Sequence, residues 1–177
     1  MSKSLIRLVD EAILPAFLIV GSKIIAIAAI TDILSLRYYY QNLFTLYYTT
    51  PVDSMVVSTW SDIVIYAVML FGVIVILVKL LYFTEGKTNP AVVLKLAKAN
   101  KLGFIQASVD LYHSLFIWML FLTGITIYLC VRIVAGIDPV ILAIPVLVFY
   151  LGSVWVAIKE AEKDISKKLE AGKHELV

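Results

Sequence analysis

The chain has 177 residues, 62% of them hydrophobic and 16% charged, with a formal net charge of +2 and a mean hydropathy of +0.96. Soluble domains are roughly half apolar, and a core of this size could not hide the excess, so the composition excludes an ordinary water-soluble fold. It predicts an all-α polytopic membrane protein with four transmembrane helices and amphipathic interfacial segments. The single cysteine, Cys130, excludes an intrachain disulfide and dithiol chemistry.

The first apolar run covers 12–30, is interrupted by Lys23 and the Gly21-Ser22 pair, and predicts a span at about 12–32. Its basic start and the triplet Ala26-Ile27-Ala28 also suit a cleavable signal. Asp10 and Glu11 interrupt that pattern, and the run exceeds the roughly 7 to 15 residues of a signal core, so a retained helix is expected.

The next segment, RYYYQNLFTLYYTT (37–50), is dense in tyrosine. Leu36, Tyr40, Leu43, Phe44 and Tyr47 recur at helical spacing, with Arg37, Gln41, Asn42 and Thr45 opposite, which predicts an amphipathic helix. Tyr39, Tyr40, Phe44, Tyr47 and Tyr48 are then an interfacial aromatic belt, because a tyrosine ring is apolar and its hydroxyl seeks water. A ligand platform would use the same side chains.

Further spans are expected at about 62–83, 113–134 and 139–158. Between the second and third, 89–103 has Asn89 as N-cap, Pro90 in the first turn, Gly103 as a stop, and Lys95, Lys98 and Lys101 opposite Val92, Val93 and Leu96. That pattern suits a basic, lipid-facing amphipathic helix or an extension of the third span. Asp138-Pro139 is read as an N-cap and first helical residue for the fourth span, and Pro145 as a bend. The domain 1–158 is followed by a charged helical tail, 159–177, in which Asp164 and Lys168 are spaced to pair and Gly172 is placed to end the helix.

Lysines and arginines concentrate before the first span, between the second and third, and after the fourth. Four spans put all three groups on one side, so a cell-membrane location with cytoplasmic N- and C-termini is expected.

Chemistry is sparse. The EGKT at 85–88 resembles the end of a phosphate loop, but Leu81 stands where that motif requires glycine. Two histidines, His113 and His174, do not suffice for a usual zinc site or a bis-histidine haem, and no cofactor is expected. The candidate polar site is formed by intramembrane or interfacial Lys23, Asp32, Asp110 and His113. Lys23 and Asp32 are nine residues apart and cannot share a helix face, so Lys23 needs a partner on another helix or must snorkel. Asp110 and His113 are adjacent on one face, at the headgroups if the third span begins near 115 and inside the membrane if it begins near 102. Lys79 and Arg132 lie near helix ends and are expected to snorkel.

Ser22 with Ala26, and Ser153 with Ala157, permit close helix approach. The reading is therefore a non-catalytic membrane subunit or scaffold that self-associates or joins a larger membrane complex, with the lipid bilayer and no nucleic acid as further partner. Its competitor is a small transporter or channel with a path lined by Lys23, Asp110 and His113, and a lipid-modifying enzyme comes third. On the scaffold reading, Lys23→Met is expected to preserve assembly.

Overall fold

The computed structural model describes the backbone over residues 3–42, 45–82 and 108–174, and side chains over 11–39, 47–82 and 110–166. The elements are α1 (Lys3–Ile33), a two-stranded hairpin β1 (Tyr38–Asn42) and β2 (Thr45–Tyr48), α2 (Pro51–Tyr82), α3 (Ser108–Val134), a 3-10 turn (Val140–Leu142) and α4 (Ala143–His174). The fold is all-α apart from the hairpin. Four stretches are long and apolar enough to cross a membrane: Glu11–Ile33, Pro51–Tyr82, Asp110–Val134 and Val140–Ser166. The basic segment containing Lys95, Lys98 and Lys101 lies outside the described residues.

The tyrosine-rich stretch is not the amphipathic helix that its spacing predicts. Tyr38 pairs with Tyr48, Tyr39 with Tyr47 and Tyr40 with Leu46 in antiparallel register, with a bulge between Tyr40 and Asn42. When nearly every position is aromatic, apolar residues satisfy periods of 3.6 and 2 alike, and the strong strand preference of tyrosine and threonine decides. The Tyr39 and Tyr47 rings stack across the strands at 5.9 Å, the cross-strand pairing that stabilises a short ribbon. At the base, the Thr49 N–H and Oγ1 both donate to the Arg37 carbonyl. A hydrogen bond of 2.8 Å between Tyr48 Oη and Thr31 Oγ1 holds the hairpin on the end of α1. Of the expected belt, Tyr39 and Tyr47 are exposed and Tyr48 is half-buried; the Tyr40 side chain and Phe44 lie outside the described residues.

Two helices end in the same chain reversal. At the end of α1, Leu36 N–H donates to the Thr31 carbonyl and Ser35 N–H to that of Asp32, with Ser35 at a φ of 49°. At the end of α3, Ile137 N–H donates to the Arg132 carbonyl and Gly136 N–H to that of Ile133, with Gly136 at a φ of 71°. This nested pair of bonds satisfies carbonyls that a helix end leaves orphaned, and its left-handed residue is most easily glycine.

The second helix begins eleven residues before the expected 62. Thr50 is its N-cap, accepting the Asp53 N–H at 3.1 Å, and Pro51 takes the first helical position, where a missing N–H costs nothing. Hydropathy alone passes over these turns because they contain Ser58, Thr59, Ser61 and Asp62. Through α2 runs a buried stripe of Val57, Ser61, Ile65, Met69, Val73, Ile76 and Leu80, spaced as a helix packed along its length requires. It lies against α1 and α3 and also meets α4, and α3 in turn touches α1 and α4. At Gly72 an added Cβ would stand 1.7 Å from Cζ3 of Trp118, so the missing side chain admits that indole against the α2 backbone. Met69, Leu80, Leu122 and Val73 are fully buried, while Phe17, Ile25, Phe71, Val148 and Trp155 face outward, as lipid-facing positions do.

Three further expectations are corrected. Pro145 is the third residue of α4, inside the first turn, where no intrahelical N–H bond is lost and no bend is imposed. Asp138 makes no side-chain cap on the 3-10 turn, whose N-cap is Pro139; its carboxylate is engaged elsewhere. The last helix extends into the charged tail as expected but runs to His174, two residues past Gly172, which therefore does not end it.

Candidate functional site

The chain reversal after α3 determines where the principal polar cluster forms. It folds Asp138 back over Arg132, and the two side chains meet as a planar fork, Nε to Oδ2 at 2.7 Å and Nη2 to Oδ1 at 2.9 Å. Such bidentate pairs combine charge with matched geometry. Thr59 of α2 donates to the same carboxylate. Arg132 Nη1 donates to Ser58 Oγ at 2.9 Å and lies 3.4 Å from Asp62 Oδ2. Ser58 and Asp62 are four residues apart on α2, as Tyr128 and Arg132 are on α3, so each pair shares a helix face. The Tyr128 hydroxyl donates to Asp62 Oδ2 at 3.4 Å, and its ring lies 5.8 Å from the guanidinium carbon, within cation–π range.

The cluster continues inward to α1. Lys23, near the middle of the first span, donates to and forms an ion pair with Asp62 Oδ1. Two cations and two carboxylates thus link α1, α2, α3 and the α3–α4 turn, with formal charges that cancel. Asp62 and Asp138 are only 2% and 4% exposed, burial that an unpaired carboxylate could not sustain. The Arg132 hydrogen bond, supported by that from Thr59, holds the Asp138 carboxyl below its ordinary value against the opposing effect of burial.

A second group joins α1 to α3 at the opposite end of the bundle. Glu11 Oε2 lies 3.0 Å from His113 Nδ1 and accepts from Ser114 Oγ at 2.9 Å. Serine, histidine and a carboxylate therefore meet, but both other groups turn to the carboxylate. A relay that activates a hydroxyl needs it bonded to the base, which the described contacts do not provide. Near this end, the Tyr112 hydroxyl donates to the Glu160 carbonyl at 3.1 Å, and the Glu160 and Asp164 side chains are buried.

Of the four residues nominated by the sequence, Lys23 has the interhelical partner it requires. His113 bonds with Glu11, and Asp110 is half-buried in the first turn of α3. Asp32 is exposed at the end of α1. Lys23 and Glu11 are twelve positions apart on one helix, about 18 Å of rise, so Lys23 and His113 belong to separate clusters. Arg132 does not snorkel; it is the hub of the network. The sequence reading missed Asp62, Asp138, Ser58, Thr59 and Tyr128. The signal available for Asp62 was an acid placed just before an apolar run while an intramembrane lysine lacked an anion.

Two cavities flank these helices. One of about 660 Å³ lies between α3 and α4 and is lined by Thr123, Thr126, Cys130, Leu147 and Tyr150 among others. Its hydroxyls are engaged: Thr126 donates to the Leu122 carbonyl, Thr123 to that of Met119, and Thr123 also bonds with Tyr150. The other, about 430 Å³, has Lys23, Asp62 and Tyr128 in its wall. Among the described residues no group of three His, Cys, Asp or Glu side chains could hold a metal ion. Comparison with known proteins finds no matching family model, curated protein or solved structure.

Proposed function

We propose that the chain is a non-catalytic, multi-pass membrane subunit or scaffold that self-associates or joins a larger membrane complex. The observation that carries this reading is the separation of its polar clusters by an apolar core. Ser114 and Tyr128, members of the two clusters, are fourteen positions apart on α3, about 21 Å of helix. Between those levels Met69, Val73 and Leu122 are fully buried, and the hydroxyls of Tyr66, Thr123 and Thr126 donate to backbone carbonyls. A conduit needs polar groups aligned through a span, whereas interhelical ties need only isolated groups satisfied by one another.

The small residues that permit close approach are used within one chain. Ala26 and Ser153 are buried, and Ala157 packs on the core. Association is therefore assigned to the broad apolar exterior of the bundle. A cell-membrane location with both termini cytoplasmic follows from four spans and the side on which basic residues collect.

Reconstituted vesicles are expected to show no ion or proton flux above protein-free vesicles. Robust flux abolished by Lys23→Met, with folding intact, would reverse this choice and favour a transporter or channel.

A further inference from the structure

The smaller cavity is a groove between α1 and α3 with α2 at its base, and its wall combines Ile19, Lys23, Asp62, Gly124, Ile125 and Tyr128. It is open on the side where Val20 and Ile24 of α1 are exposed, at 60% and 63%. In a bilayer that opening faces hydrocarbon. Lys23 is incompletely covered, its side chain being 31% exposed. An ammonium carries three donors, and among the described residues Lys23 makes one hydrogen bond, to Asp62. Two donors thus have no protein acceptor among the described residues, on a side chain that lines a groove where lipid tails cannot accept a hydrogen bond.

We propose that this groove binds an uncharged, membrane-dissolved molecule with a carbonyl-bearing head and an apolar tail, the carbonyl oxygen accepting from Lys23. The surplus of donors calls for an acceptor. An anionic head is disfavoured because the positive charge of Lys23 is already matched by Asp62, whose carboxylate lies in the same wall and would repel a second anion. The apolar side chains and the lateral opening suit a tail that remains among the lipids. At about 430 Å³ the space lies within the range of small-molecule sites, roughly 300–1,000 Å³. Gly124 contributes part of that space, since an added Cβ there would meet nothing within 4 Å. The larger cavity gives no comparable signal because its described hydroxyls are engaged.

The binding site requires no passage through the bundle and is independent of the choice between scaffold and conduit. The test is an equilibrium titration of purified full-length protein in mild detergent with three probes: decylubiquinone, decylbenzene, which lacks the carbonyls, and decanoate, which replaces them with a charge. Decylubiquinone should bind saturably, with the other two about tenfold weaker or more, the cost of leaving the donors unmet or placing an anion beside Asp62. Gly124→Leu should fill the groove and weaken quinone binding about tenfold in a variant that still unfolds in one cooperative thermal transition, since leucine is a better helix former than glycine. Decylbenzene binding as tightly as the quinone, decanoate binding more tightly, undiminished binding to a folded Gly124→Leu variant, or no saturable binding would each overturn the proposal.

Discussion

Replacing Lys23 by methionine removes the cation from Asp62 and leaves a carboxylate that is 2% exposed. On the scaffold reading this change is expected to preserve assembly; the buried Asp62 carboxylate predicts that it also lowers stability. Removing one partner of a buried ion pair costs about 3–5 kcal/mol. Two features reduce that figure here. Lys23 is about one-third exposed, and Asp62 keeps Arg132 Nη1 and the Tyr128 hydroxyl, each at 3.4 Å. A loss of about 2 kcal/mol is expected, equivalent to about 4–8 °C in the thermal midpoint for a chain of this size. Asp62→Asn should also destabilise, by stranding Lys23 without its anion. The double variant Lys23→Met with Asp62→Asn should recover part of the combined loss, leaving a coupling of about 1–2 kcal/mol. Thermal unfolding of the four proteins in one detergent at one pH measures this cycle. Additive losses, or a Lys23→Met protein as stable as wild type, would refute an ion pair between the two residues.

Asp138 predicts an acid limit to stability. Because its folded-state pKa is lowered, chiefly by Arg132, its contribution is complete above the ordinary aspartate value of about 3.9 and is lost as pH falls through the lower folded value. Wild type should therefore exceed Asp138→Asn in thermal midpoint at pH 6, the difference shrinking below about pH 4; a gap that widens on acidification contradicts the assignment. Membrane topology supplies another test: in sealed cells, an impermeant thiol reagent should label a cysteine introduced at Thr49 but not one at His174. Labelling at His174 and protection at Thr49 would invert the orientation proposed.

Composition and hydropathy were enough to read four apolar helices, because lipid exposure requires long uninterrupted runs and those runs are visible one residue at a time. Local cap chemistry was less reliable: Asp138-Pro139 matches a helix start, yet the Asp138 carboxylate is taken by Arg132 and Thr59. In the tyrosine-rich segment, helical and strand periods coincide, and only pairing of Tyr39 with Tyr47 distinguishes them. The sequence by itself determined that Lys23 needed a partner on another helix or had to snorkel, since the cost of a charge in an apolar span depends on the residue and its depth. Only the tertiary structure decided that Asp62 satisfies it and that Arg132 and Asp138 close the network. Those side chains come from α1, α2, α3 and the turn after α3, and their proximity depends on helix packing and on a left-handed residue at Gly136, neither of which a spacing rule along one chain contains.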